Sequence, residues 1–205
     1  MSEELIYAAT NWRTNGHLIL DAYRIGYLKD TDTILDPTYG KGVWWQQWRP
    51  QNLVTRSNVE DPSFDFRRTE FSEGQFDAIA YDPPYVSVGG RATSKSIQDM
   101  YDHYGLLNAP KTPLELQWLI NDGLTEMYRI VKPGGIVLVK CQDYISSGKM
   151  FLGTHFTLTH AIKLGFLVID RWEHVGRGRP QPSGRRQVHA RRNLSTLFVF
   201  KKPLK

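Results

Sequence analysis

The sequence predicts an α/β domain built on a mostly parallel central sheet with helices on both faces. Three observations carry that expectation. Short apolar runs alternate along the chain with stretches of helical apolar spacing, the pattern of strands joined by helical crossovers. Two of the runs end in an aspartate followed at once by proline, Asp36-Pro37 and Asp82-Pro83. Proline fixes φ and donates no ladder hydrogen bond, so each pair marks the carboxyl end of a strand. In parallel sheets ligands gather beyond those ends, so both aspartates are expected to face one crevice.

The elements follow in order. Residues His17 to Tyr27 carry Leu18, Ile19, Ala22, Tyr23 and Tyr27 at helical spacing. Thr33-Ile34-Leu35 reads as a buried strand that ends at Asp36-Pro37, and Gly40-Lys41-Gly42 follows it. A helix is expected from Val43 to Trp48, stopped by Pro50, and strands from Asn52 to Ser57 and from Phe76 to Tyr81. The intervening 58–74 segment is short for a full crossover, which predicts compressed structure. Thr112-Pro113 opens a helix with Leu116, Leu119, Ile120, Leu124, Met127 and Val131 on one face. Lys132-Pro133-Gly134-Gly135 then turns into a strand, Ile136 to Lys140. A helix from His155 to Leu164 stops at Gly165, and strands Phe166–Trp172 and Leu194–Lys201 flank a basic segment. No repeat or linker divides the 205 residues, which read as a single domain large enough to bury its own core.

A hydrophobic fraction of 40% suits a globular chain, and no apolar stretch is long enough to span a bilayer. Met1-Ser2-Glu3-Glu4 has neither the basic start nor the apolar core of a signal peptide. The single Cys141 excludes an intrachain disulfide and a multi-cysteine zinc site, and the six histidines show no metal-ligand spacing. The expectation is a cytoplasmic protein with no membrane partner and no metal. Net charge is +5, and the excess is concentrated in a flexible basic loop over 173–193. There Arg177, Arg179, Arg185, Arg186, Arg191 and Arg192 lie among glycines and prolines, with no acidic residue between the first and last of them. Two readings stay open for this loop: a solvated charged surface, or a contact for nucleic acid phosphates.

Asp82-Pro83-Pro84-Tyr85 carries the most chemistry. Two prolines make a stiff ledge that offers a carboxylate, backbone carbonyls outside any ladder, and an aromatic ring. Such a ledge can accept hydrogen bonds from an exocyclic amine and stack on the flat ring that bears it.

With these residues placed, the chain resembles the S-adenosylmethionine-dependent amino-methyltransferases of nucleic acid bases, in a small single-domain form. Leu35-Asp36-Pro37-Thr38-Tyr39-Gly40-Lys41-Gly42 is similar to the family's cofactor motif, Asp82-Pro83-Pro84-Tyr85 to its catalytic motif, and Val131 to Gly135 to its turn into the fifth strand. The resemblance implies a Rossmann-like methyltransferase fold and S-adenosylmethionine as cofactor. It implies that Asp36, Pro37, Thr38, Gly40 and Gly42 bind the methionine portion of that cofactor, with Asn58 at its ribose and Asp65 at its adenine. It also implies catalysis at Asp82, Pro83, Pro84 and Tyr85. Adenine N6 in DNA is the acceptor it favours, because cytosine enzymes of this family more often carry Ser where Asp82 stands. RNA bases, guanine N2 or adenine, are the alternative acceptors, and a catalytically silent nucleic-acid-binding subunit is the alternative function. Oligomeric state is left open.

The chain departs from the family's pattern in three places. Thr38-Tyr39 stands where phenylalanine usually follows the proline, and Asn58 where the second strand usually ends in an acid. No separate target-recognition domain fits, which leaves recognition to the 86–111 segment and the arginine-rich loop.

Overall fold

The computed structural model describes residues 5–57, 60–84, 110–176, 186–190 and 192–204. In chain order they form β1 (Ala9–Thr10), α1 (Asn15–Arg24), β2 (Thr33–Asp36), a 3-10 turn (Val43–Trp45), β3 (Asn52–Thr55) and β4 (Phe76–Tyr81). Then follow α2 (Pro113–Ile130), β5 (Val131–Cys141), β6 (Tyr144–Ser146), β7 (Lys149–Phe151), α3 (Gly153–Leu164), β8 (Leu167–Val175) and β9 (Leu194–Lys201). Seven strands make one sheet in the order β1-β8-β9-β5-β4-β2-β3, while β6 and β7 pair apart as a hairpin. All pairings in the large sheet are parallel except the two made by β9. The Rossmann-like α/β architecture expected from the sequence is therefore the one observed.

Strand alternation divides the core between the two faces. Leu35, Ile79, Tyr81, Val139 and Phe198 point to the side packed by α2 and α3. Ile34, Ala80, Leu138 and Leu197 point to the side covered by α1 and by Trp44 and Trp45. The chain passes from β2 outward to β3 and then returns to lay β4 on the other side of β2. Strand order thus reverses between β2 and β4, the switch point where a parallel sheet opens a crevice beyond its carboxyl ends. Asp36 closes β2 and Asp82 follows β4.

Helix α2 begins as its sequence requires. Thr112 Oγ1 accepts from the Glu115 amide at 3.2 Å, and Pro113 occupies the first turn. Near its middle Gly123 allows close approach to the sheet, since a Cβ there would fall inside van der Waals contact of Tyr81 Oη and Phe66. Tyr81 Oη donates to the Ile120 carbonyl at 3.2 Å, tying α2 to the strand that carries the ledge.

Several elements differ from expectation. Helix α1 is shifted toward the N-terminus, because Thr14 takes the N-cap position and Gly26, at φ +91°, turns the chain away. The helix expected over 43–48 is only a 3-10 turn, since Trp44 and Trp45 are bonded to two different strand ends. Lys132 to Gly135 is an excursion inside β5, with Val131 paired to Phe76 before it and Ile136 to Ala78 after it. Strand β8 extends to Val175, so Glu173, His174 and Val175, expected in the basic loop, are strand residues. The described part of the 58–74 segment is a run of turns pinned by buried Phe64 and Phe66, as compression required. Among the described residues no helix is long and apolar enough to cross a membrane.

Candidate active site

Two carboxylates at the switch point are each held by an indole, and Thr38 ties their strand ends together. Asp36 is buried, and its Oδ2 accepts from the Trp45 indole at 2.7 Å. Its Oδ1 accepts from the Thr38 amide at 3.0 Å and, more weakly, from the Thr38 hydroxyl at 3.4 Å. Thr38 Oγ1 in turn accepts from the Asp82 amide at 2.9 Å. One small side chain therefore connects the ends of β2 and β4. Asp82 Oδ2 accepts from the Trp44 indole at 2.9 Å. Its Oδ1 is buried and has no hydrogen-bond partner among the described residues. A buried acceptor without a donor forfeits its hydration, which makes this oxygen the outstanding polar atom of the crevice.

Burial pushes the Asp82 carboxyl above the ordinary range, against the lowering effects of Lys140 and the Trp44 indole. Lys140 is itself 3% exposed. Tyr81 pairs with Val139, so Asp82 and Lys140 are neighbours on adjacent strands. Ala80 and Leu138 fix the face they share, the one covered by Trp44. His174 of β8 lies toward the same end; burial and Lys140 lower its pKa, and its Nε2 bonds the Trp12 carbonyl at 2.9 Å. Asp36 is pushed up to about 7, chiefly by burial and further by Asp82, against its bonds from Trp45 and Thr38.

The glycine turn after β2 has the shape its sequence calls for. Gly40 and Gly42 both lie in the left-handed region, at φ +51° and +66°. A Cβ on Gly42 would sit 2.6 Å from Tyr39 Oη. Tyr39 and Arg56 backbone groups fasten the turn over the end of β3. This turn, with an acid beneath it, suits a ligand carrying an ammonium group and a carboxylate.

The structure brings Asp36, Pro37, Thr38, Gly40, Gly42, Asp82, Pro83 and Pro84 to this one rim. Asp65 is part-exposed and engaged by Arg67, whose guanidinium meets its two oxygens at 2.9 and 2.8 Å. Burial would raise the Asp65 pKa, yet Arg67 holds it below the ordinary value. Tyr85, Asn58, Arg177, Arg179, Arg185 and Arg191 lie outside the described residues, as does most of the 86–111 segment. Arg186 and Arg192 are exposed where the chain returns toward β9. Among the described residues no group of three or more His, Cys, Asp or Glu side chains is arranged to hold a metal ion.

Sequence reasoning missed Trp44, Trp45 and Lys140. The tryptophans gave no signal, since Trp44 meets a carboxylate 38 positions away in the chain. Lys140 did give one: a cation closing the apolar run Ile136-Val137-Leu138-Val139 sits where a buried strand has no reason to place it.

No protein-family model matches the sequence, and no curated protein matches it. Solved structures resemble it in fold. The cyclase SpnF superposes over 93% of this chain and 82% of its own, at 11% identity and a TM-score of 0.53. A candidate DNA modification methylase from Thermus thermophilus, crystallised with S-adenosyl-L-methionine, superposes over 68% of this chain and 53% of its own, at 18% identity and a TM-score of 0.46. The cytosine-N4-specific PvuII DNA methyltransferase does so over 66% and 45%, at 13% identity and a TM-score of 0.46. The chain spans about half the length of these two DNA methylases. At such identities the likeness is one of fold, and a fold shared with a cyclase does not choose a reaction.

Proposed function

We propose that this chain transfers a methyl group from S-adenosylmethionine to the exocyclic amine of a nucleic acid base, adenine N6 in DNA. The observation that carries the reading is the buried, undonated Asp82 Oδ1, held on a double-proline ledge beside an acid-and-glycine turn at the sheet's switch point. Asp36, Thr38, Gly40 and Gly42 would hold the methionine end of the cofactor, with Asn58 and Asp65 toward its nucleoside. When bound, the cofactor supplies an electrophilic methyl on a sulfonium.

The chain's own residues make the amine a nucleophile. An exocyclic amine is weak because its lone pair is delocalised into the ring. Hydrogen bonds from its two protons to Asp82 Oδ1 and the Pro83 carbonyl favour a pyramidal nitrogen with a localised pair. They also offset the positive charge that grows on that nitrogen. Asp82 then takes a proton, directly or through water. Trp44 orients the carboxylate, and Lys140 opposes the rise that burial causes in its pKa. Tyr85 would stack on the base. In a duplex the base must leave the helix to reach the ledge, at a cost of a few kcal/mol that stacking and phosphate contacts offset.

The test is mass spectrometry of nucleosides from DNA and RNA incubated with the protein and isotopically labelled cofactor. Labelled N6-methyladenine in DNA is the expected product. N4-methylcytosine would change the base, and methylated guanine or adenine in RNA alone would change the polymer. Cofactor binding with no product on either polymer would overturn the transfer and leave the alternative of a catalytically silent nucleic-acid-binding subunit.

A further inference from the structure

The hairpin that leaves β5 stands on the rim that carries Asp82, because β4 and β5 run parallel and end together. Ser147 and Gly148, at φ +48° and +76°, close it as a tight two-residue turn of the primed type. Its tip carbonyl, Gly148 O, accepts from His189 Nε2 at 3.0 Å, so the segment returning toward β9 rests on the hairpin. Phe151 packs between Tyr144 and Phe156, with ring centroids 5.4 and 5.3 Å apart. Met150, Leu152 and Phe156 are nonetheless 38–45% exposed, beside an exposed Lys149. None of the chain's 21 acidic residues falls within 144–164 or within 176–193. Described residues 186–190 thus touch the hairpin at His189, on the rim that carries the candidate active site. Asp143 lies at this edge but is engaged, its Oδ1 accepting from the Thr154 amide at 2.9 Å and hydroxyl at 2.7 Å. The exposed apolar side chains and Lys149, beside a site for a base, suit a phosphate backbone with its flanking bases.

We propose that the β6–β7 hairpin and the first turn of α3 form a DNA-contacting surface that holds the strand flanking the target base. Lys149 meets a phosphate, and Phe156 with Met150 packs against bases or sugars. This assignment rests on the reading of the chain as a DNA methyltransferase and extends that reading to a second contact outside the arginine-rich loop.

The test is fluorescence anisotropy of a labelled DNA duplex and of its single strand, at several salt concentrations, with the wild-type protein and three variants. Lys149→Gln is expected to weaken binding about tenfold and to lower the salt slope by about one. Phe156→Ala is expected to weaken single-strand binding with the slope unchanged. Lys29→Gln, an exposed control before the amino end of β2, is expected to bind like the wild type. Melting temperatures within a degree or so of wild type would show that the variants fold. Wild-type binding by both rim variants, an equal loss in Lys29→Gln, or no DNA binding by the wild type would overturn the surface. Methylated nucleosides formed while both rim variants bind normally would sink the surface alone. Lys149-dependent binding with no methylated product would sink the enzymatic reading alone.

Discussion

At the scale of single residues, the reading turns on one carboxylate and the cation beside it. Asp82→Asn keeps an acceptor for the Trp44 indole and removes the charge, so the fold should tolerate it. Methyl transfer should fall by about three orders of magnitude, while calorimetry with S-adenosylmethionine shows cofactor affinity within a few-fold of wild type. Undiminished turnover would remove Asp82 from the mechanism. Lys140→Met tests the cation. Burial raises the Asp82 pKa and Lys140 opposes that rise, so removing the ammonium raises it further. The charged and titratable groups toward this carboxylate are Lys140 on β5 and Asp36 at the end of β2, with His174 on β8 responding to the same lysine. Since the ionised carboxylate is the active form, the rate should climb with pH through the Asp82 pKa, and that limb should move to higher pH in Lys140→Met. A pH–rate profile that drops uniformly, with its limb unmoved, would make Lys140 a packing residue only.

At the scale of elements, the site depends on how closely α2 lies on β4. Gly123→Ala puts a methyl inside contact distance of Tyr81 Oη and Phe66, and Tyr81 immediately precedes Asp82. Overpacking of this kind costs about 1–3 kcal/mol. Chemical denaturation should show that loss, together with reduced turnover, because the ring cannot move without moving the ledge. A fully stable variant would mean that α2 lifts freely. Element identity was legible in the chain wherever period and punctuation agreed. Phe76 to Tyr81 and Leu194 to Lys201 appear within the bounds their alternation and flanking turns indicate, and Thr112-Pro113 caps α2 as its chemistry requires. It was not legible where tertiary bonds decide. The segment after Gly42 has helical composition, but its indoles are drawn to Asp36 and Asp82 on separate strands, and only one 3-10 turn survives. The β6–β7 hairpin is too short to show an alternating pattern at all. Thr38 reads as a departure from a motif, whereas in the fold it joins the two motifs by accepting from one and donating to the other.

At the scale of the whole molecule, five of the six tryptophans donate their indole N–H to an aspartate: Trp12, Trp44, Trp45, Trp48 and Trp172. At Trp44 and Trp45 the pairing lets buried rings pack against the sheet while the carboxylates of Asp82 and Asp36 stay at its rim. Its consequence for stability is greatest at Asp36, whose carboxyl is held near 7 against an ordinary value of 3.8. The folded state therefore binds a proton that the unfolded chain gives up, and stability falls as pH rises. The loss begins above the unfolded value and is complete once the folded group ionises, a window from about 4 to about 7. A shift of this size corresponds to roughly 4 kcal/mol as an upper bound. Carboxylates held low elsewhere, such as Asp77 and Glu126, contribute in the opposite sense as pH falls, so the total curve mixes both. The Asp36→Asn variant separates them. Its stability relative to wild type should improve steadily between pH 5 and 7.5, as measured by denaturant midpoints at constant ionic strength. A constant difference across that range would show that Asp36 is already ionised in the folded protein. Cofactor should reverse the trend in the wild type. An ammonium group against Asp36 favours its charged form, so stabilisation by saturating S-adenosylmethionine should grow with pH over the same window.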